Sequence, residues 1–196
     1  AEASAVAEAA AVSVPATTQA RAPLGQRADL VIDFEPLTAA STLVNLRLRY
    51  AVTLRNVGHS TAAPVLVRIG LFAGTMANEQ GLLHWFQLDD GQVHERIEQI
   101  VPGESYRFEG ELAAALDALN PMLIDGRRIA IPIVAVDARY NHAADAAPIE
   151  GQVARAFVVG RDSGSAGGKL APFRFDTGPT SFTPLGQRDT GISRNQ

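Results

Sequence analysis

The chain has 196 residues, 46% hydrophobic and 19% charged, enough apolar material for one domain with a substantial core. It has no cysteine, which excludes disulfides, thiolate metal centres and thiol catalysis, and no run approaching the ~20 apolar residues of a membrane-spanning helix. Residues 28–160 hold 10 basic and 16 acidic side chains, net −6, against +2 for residues 161–196, so nucleic acid is excluded as an expected partner.

Residues 1–27 are Ala-rich, with two prolines and no aromatic residue, and read as a flexible tether. Because the chain starts at Ala1 rather than Met, a signal peptide or membrane anchor is expected upstream, and that anchor would be the route to a membrane. From Ala28 the pattern becomes period two. Leu30, Ile32 and Phe34 share one face, and then Leu46, Leu48, Tyr50, Val52 and Leu54 do, with Asn45, Arg47, Arg49, Thr53 and Arg55 opposite. After a turn through Asn56 and Gly58, Val65, Val67, Ile69 and Leu71 repeat the inward rhythm. Asn56 and Gly58 are residue types that tolerate the positive φ of tight turns.

Residues 73–95 break the alternation. They read as a loop with one or two helical turns, capped at Thr75 and carrying Leu82, Leu83, Trp85 and Phe86. Strand signals return at "ERIEQIV", and the "PGES" turn leads into "YRFEGEL". Leu112, Leu116 and Leu119 stand at helical spacing before Asn120-Pro121. "RRIAIPIVAVDARY" and "GQVARAFVVGR" form a last strand pair, with Pro132 marking an edge strand or a bulge. Residues 161–196 read as an extension and flexible tail in which Leu170, Phe173 and Phe175 dock on the domain. "PLGQR" occurs at 23–27 and again at 184–188, which reads as shared linker vocabulary.

About seven short strands with no βαβ repeat predict an all-β antiparallel sandwich over 28–160, with Phe157 joining the inward residues above in its core. The run Tyr50-x-Val52-x-Leu54-x-Asn56-x-Gly58, then Ala62-Ala63 and Val65-x-Val67, with Pro102-Gly103-Glu104-Ser105 before Tyr106 and Phe108, resembles immunoglobulin-like modules of bacterial envelope proteins. The cell-adhesion-related domains found in bacteria are among these. The layout of tether, domain and short tail also resembles a group of uncharacterised membrane-anchored bacterial proteins. The resemblance implies an immunoglobulin-like fold, a location in the cell envelope and a partner that is another envelope protein. It carries no active site and no cofactor.

The residues themselves offer three weaker chemistries. Gly58-His59-Ser60-Thr61-Ala62 matches the G-x-S-x-[GA] elbow of serine hydrolases, with Asp137 and His142 as triad partners, but an elbow needs a helix after the serine, and here an alternating run follows. His59, His84, His94 and His142 form no i, i+4 or H-x-H pair and read as lone surface histidines, so no metal is expected on them. Asp89-Asp90-Gly91 and Asp137/Asn141/Asp145 lack calcium-loop spacing and read as turn residues. The expectation is a non-catalytic interaction or structural module, the alternatives being a metal- or small-ligand-binding sandwich and a hydrolase using Ser60. Its candidate contact surface is Leu82, Leu83, Trp85 and Phe86, against the plainer reading that the two aromatics plug one end of the sandwich.

Overall fold

The computed structural model describes residues 27–75, 77–88, 91–142, 149–164 and 169–196. The tether expected over 1–27, except Arg27, lies outside the described residues, as do Asp89, Asp90 and Asp145.

The chain is mostly β, its sheets antiparallel. β1 (Leu30–Ser41) and β2 (Asn45–Asn56) form a long hairpin. Its tip is tied by the Thr42 hydroxyl, which accepts from the amides of Val44 and Asn45. β3 (Ala62–Ala73) leads through helix α1 (Glu79–Gln87) to the short β4 (Glu95–Ile97), and the Pro102-Gly103 turn, with Gly103 at φ +82°, opens β5 (Ser105–Ala115). After a single 3-10 turn come the hairpin β6 (Met122–Ile124) and β7 (Arg127–Ala130), then β8 (Pro132–His142) and β9 (Ile149–Asp162). Short strands β10 (Leu170–Ala171), β11 (Phe173–Arg174) and β12 (Thr180–Phe182) precede β13 (Leu185–Asn195).

One sheet runs β12-β1-β2-β5 and another β10-β9-β8-β3-β4, with β13 also on β9; β11-β7-β6 form a third, small sheet. Arg161 pairs with both Ala171 and Leu185, so β10 and β13 lie along opposite edges of β9. The two large sheets feed one buried cluster. Leu46, Leu48, Tyr50, Val52, Leu54, Val65, Val67, Ile69 and Phe157 all belong to it, as their alternation predicts. Phe34 stacks between Tyr50 and Phe157, with ring centroids 6.2 and 5.2 Å away. Phe173 and Phe175 also dock in this core, Phe173 edge-on to Phe182 at 4.9 Å.

Three expectations are corrected. Residues 111–115 are strand rather than helix, because β5 pairs with β2 from Arg55↔Ser105 to Asn45↔Ala115, and this ladder overrides the helix propensity of the alanines. Only Asp117–Leu119 coils. Pro132 marks neither an edge nor a bulge: it is the first residue of β8, a central strand, where the missing N–H breaks no ladder. Residues 185–195 are no tail. β13 pairs with β9 from Leu185↔Arg161 to Asn195↔Val153, although none of its side chains is fully buried.

Candidate functional site

The expected contact surface is α1. Its N-cap is Asn78 rather than Thr75, with Oδ1 accepting from the Gly81 amide at 2.7 Å. Leu82 and Phe86, four residues apart, point the same way and are buried against Ile133, Ala135, Ala154 and Ala156 of β8 and β9. The small alanines let the helix approach the sheet on the face away from the main core. Leu83 and Trp85 pack at the edge of this second cluster, half-buried. Trp85 stands edge-on to Phe72 at 5.5 Å and to Phe86 at 5.6 Å, and the Arg68 guanidinium lies 5.0 Å from its centroid. The aromatics therefore cover a sheet face rather than plugging an end. Half of the expected surface, Leu82 and Phe86, is interior.

Beneath the C-terminal end of α1 lies a buried polar network. Asp137, fully buried on β8, accepts from Arg68 Nε at 3.1 Å and Arg139 Nε at 3.2 Å, while its other oxygen takes the Gln152 amide at 2.8 Å. Gln152 also donates to the Phe86 carbonyl; Arg139 donates to the carbonyls of Phe86 and Leu88, and Arg68 to that of Trp85. Cationic and amide donors thus satisfy the carbonyls that a helix leaves open at its end, where its dipole is negative. Burial pushes the Asp137 carboxyl up, against the opposing hydrogen bonds of Gln152 and Arg68. Asp137 orients the three donors, Arg68, Arg139 and Gln152, that hold the end of α1 to the sheet.

Asn56 proves more than a turn residue. Neither it nor Gly58 has positive φ. Its buried side chain makes four hydrogen bonds: Oδ1 accepts from the amides of Gly58 (3.0 Å) and Asp29 (3.2 Å), and Nδ2 donates to the carbonyls of Ser60 (2.8 Å) and Ile100 (2.9 Å). Gly58 is required by close approach, since a Cβ there would lie 2.3 Å from the Arg27 carbonyl oxygen.

The elbow reading of Ser60 finds no supporting geometry. Strand β3 follows it, not a helix. His142, expected at the surface, is buried, and its Nδ1 accepts from the Ala28 amide at 3.0 Å. A neutral imidazole with Nδ1 so occupied carries its proton on Nε2, the wrong tautomer for a base acting through Nε2. Asp137 serves Arg68, Arg139 and Gln152 rather than His142. His94, also expected at the surface, is half-buried and accepts from the Ile69 amide, and burial pushes its pKa down; His59 and His84 are exposed. Among the described residues no three His, Asp or Glu side chains gather where they could share a metal.

A surface that the sequence reading passed over lies at the β6–β7 hairpin. Met122, Leu123 and Ile124 are all exposed, Leu123 at 71%, and Ile131 just beyond β7 is exposed too. A cavity of about 250 Å³ opens beside them, its walls including Leu119, Met122, Ile131, Ile133 and Val158. The turn between the strands holds Asp125 at φ 50° and Gly126 at φ 72°. The sequence signal was present: Asp-Gly between apolar runs is a strong short-range hairpin mark.

No protein-family model matches the chain, and no curated protein or solved structure matches it either.

Proposed function

We propose that this chain is a non-catalytic, immunoglobulin-like module of the bacterial cell envelope that contacts another envelope protein through the β6–β7 hairpin. The observation that carries the contact is the exposed run Met122-Leu123-Ile124 on β6, an outer strand of its small sheet. An apolar strand with a free edge is a template for strand addition, in which backbone bonds give affinity and alternate side chains enter pockets. The cavity beside Met122 and Ile131 would take one such side chain.

Strand order supports the fold assignment. Lettering β1, β2, β3, β4, β5, β8 and β9 in chain order as A, B, C, C′, E, F and G gives sheets A-B-E and C′-C-F-G. The variable-type immunoglobulin domain likewise adds C′ to a C-F-G sheet and pairs A, B and E in the other, where it also carries a strand D. The envelope setting rests on the turn and strand motifs that resemble bacterial envelope modules.

A photo-crosslinking residue placed at Leu123 in living cells tests the contact, with the same residue at exposed Glu111 of β5 as control. The expected result is one adduct of defined mass in the envelope fraction from position 123, absent from 111, and lost from Leu123 when Ile124→Glu is added without change in thermal midpoint. Equal adducts from both positions, or none at 123, would refute the contact; recovery of the protein in the cytosol would refute the location.

A further inference from the structure

On the sheet face that α1 packs against, the apolar strip of β8 and β9 continues past the helix through Ile133 and Val158. Two cavities lie side by side over it, of about 250 and 260 Å³, both walled by Ile131 and Val158. The first adds Leu119, Met122 and Ile133, and the second Gly160, Leu170 and Ala171. Among the described residues, neither wall contains an acidic or an aromatic side chain.

The two cavities differ in charge. The polar side chains of the first, Thr75 and Asn120, are neutral and satisfy each other, Asn120 Nδ2 donating to Thr75 Oγ1 at 3.1 Å. The second is walled by Lys169 and Arg188, both exposed, so a ligand entering from solvent meets them directly. Asp162, which pairs with Leu170 in the ladder, stands outside the wall, and its Oδ1 accepts from the Gly164 amide at 2.9 Å. The cationic end is also held in place. The Lys169 carbonyl accepts from the Ser163 hydroxyl at 2.8 Å, and Ala171 pairs with Arg161 of β9. The Leu170 side chain lies over two glycines: a Cβ at Gly160 would stand 2.9 Å from its Cβ, and one at Gly186 2.7 Å from its Cδ2. β9 and β13 thus lack a side chain where Leu170 crosses them, which seats it as a wall of the groove.

We propose that this groove binds a linear alkyl carboxylate, its chain along Ile133, Ile131 and Val158 and its carboxylate at Lys169 and Arg188. Small-molecule sites are mostly apolar with a few polar groups that set orientation, and the paired cavities have that arrangement. Charge confined to one end fixes which way an amphiphile lies. Aliphatic walls shield methylenes from water and offer a flat ring nothing to stack on. The site needs no protein partner, and it stands or falls independently of the hairpin contact.

The test follows the methyl groups of Ile131, Val158 and Leu170 by NMR in the whole protein during titration with sodium octanoate below its micelle threshold. Sodium acetate supplies the head alone, 1-octanol the tail alone, and octylammonium chloride the same tail with the opposite charge. The expected result is a saturable shift with octanoate, none with acetate, and weaker binding of octanol and octylammonium. Lys169→Glu should weaken octanoate roughly three- to tenfold and strengthen octylammonium, because the reversed charge repels one head and attracts the other. Ile124→Glu, which breaks the hairpin contact, lies outside both walls and should leave octanoate binding unchanged, so the two proposals fail separately. No saturation with octanoate, or equal affinity for octanoate and octylammonium, would overturn the site. So would an unaltered preference in Lys169→Glu with an unchanged backbone spectrum.

Discussion

Tyr50 on β2 faces Gly110 on β5 across the ladder, and the phenol lies on the glycine. A Cβ at position 110 would stand 2.4 Å from the Tyr50 hydroxyl oxygen, 2.6 Å from Cζ and 3.2 Å from Cε1. Ordinary contact between such atoms is about 3.5–4.0 Å, so Gly110→Ala forces the ring back by roughly 1 Å. The ring has little space to enter, because Tyr50 is 2% exposed and Phe34 stacks against it, backed by Phe157. Overpacking of this kind costs about 1–3 kcal/mol, and the lower entropy of an unfolded chain with Ala returns about 0.4–1 kcal/mol. Taking the middle of each range, the net loss is about 1.3 kcal/mol, a fall in thermal midpoint of about 3–5 °C for a chain of this size.

Urea unfolding followed by far-UV circular dichroism measures that loss, and an unchanged m-value would show that only stability has moved. The Tyr50→Phe background isolates the contact. It deletes the nearest atom, the hydroxyl oxygen, and leaves Cζ, so the Gly110→Ala loss should shrink there without vanishing. A Gly110→Ala protein as stable as the wild type, or an identical loss in both backgrounds, would refute the packing of the ring on the glycine.

Burial, and then the charge of Glu95, push the Tyr50 pKa up to about 12. The folded value exceeds the unfolded one near 10, so this group's contribution is complete below about pH 10 and is lost as pH rises through about 12. Stability should therefore fall across that window in the wild type and fall less in Tyr50→Phe; parallel curves would refute the assignment. Phe86→Ala removes a fully buried ring from the second cluster, a change that costs about 3–5 kcal/mol where the whole fold must absorb it. Because that cluster lies outside the main core, α1 should open on its own, with faster hydrogen exchange at its amides and unchanged exchange in β2. Equal acceleration in β2 would show that the two clusters form one cooperative unit.

What the sequence discloses depends on how each element is held. β2 has one face in the core and one in water, so its alternation can be read directly. β8 is buried on both faces: Val134, Val136, Ala138 and Tyr140 enter the main core, while Ile133, Ala135 and Asp137 lie beneath α1. Its sequence is accordingly a continuous apolar run interrupted by one charge, and nothing local says that Asp137 orients the donors at a helix end. β13 is held by its ladder rather than by buried side chains, so it leaves no apolar rhythm to find. A cavity of about 430 Å³ with Tyr140 and His142 in its walls was illegible for another reason. Its walls come from residues 27–29, 57–59, 140–142 and 195–196, and only the topology of β1, β8 and β13 joins them.

The other sheet edges make the exposure on β6 informative. β5, the edge of the first large sheet, pairs Arg47 with Glu111 and Arg49 with Glu109 across its exposed face. β4, β10, β11 and β12, the other short outer strands, are two or three residues long and none presents an exposed apolar side chain. β13 carries Arg188, Asp189 and Arg194 among Gly, Thr, Ser, Gln and Asn, with only Leu185 and Ile192 apolar. Charge, shortness and polar composition are the usual means by which sheet edges avoid other chains. β6 is equally short but presents Met122, Leu123 and Ile124 side by side, with Ile131 beside them and a cavity below. A fold that blunts its other edges and leaves this one apolar has the pattern of a contact strand. Substituting Leu123 and Ile124 should then change what the module binds and leave its stability intact, because neither side chain contributes to either core cluster.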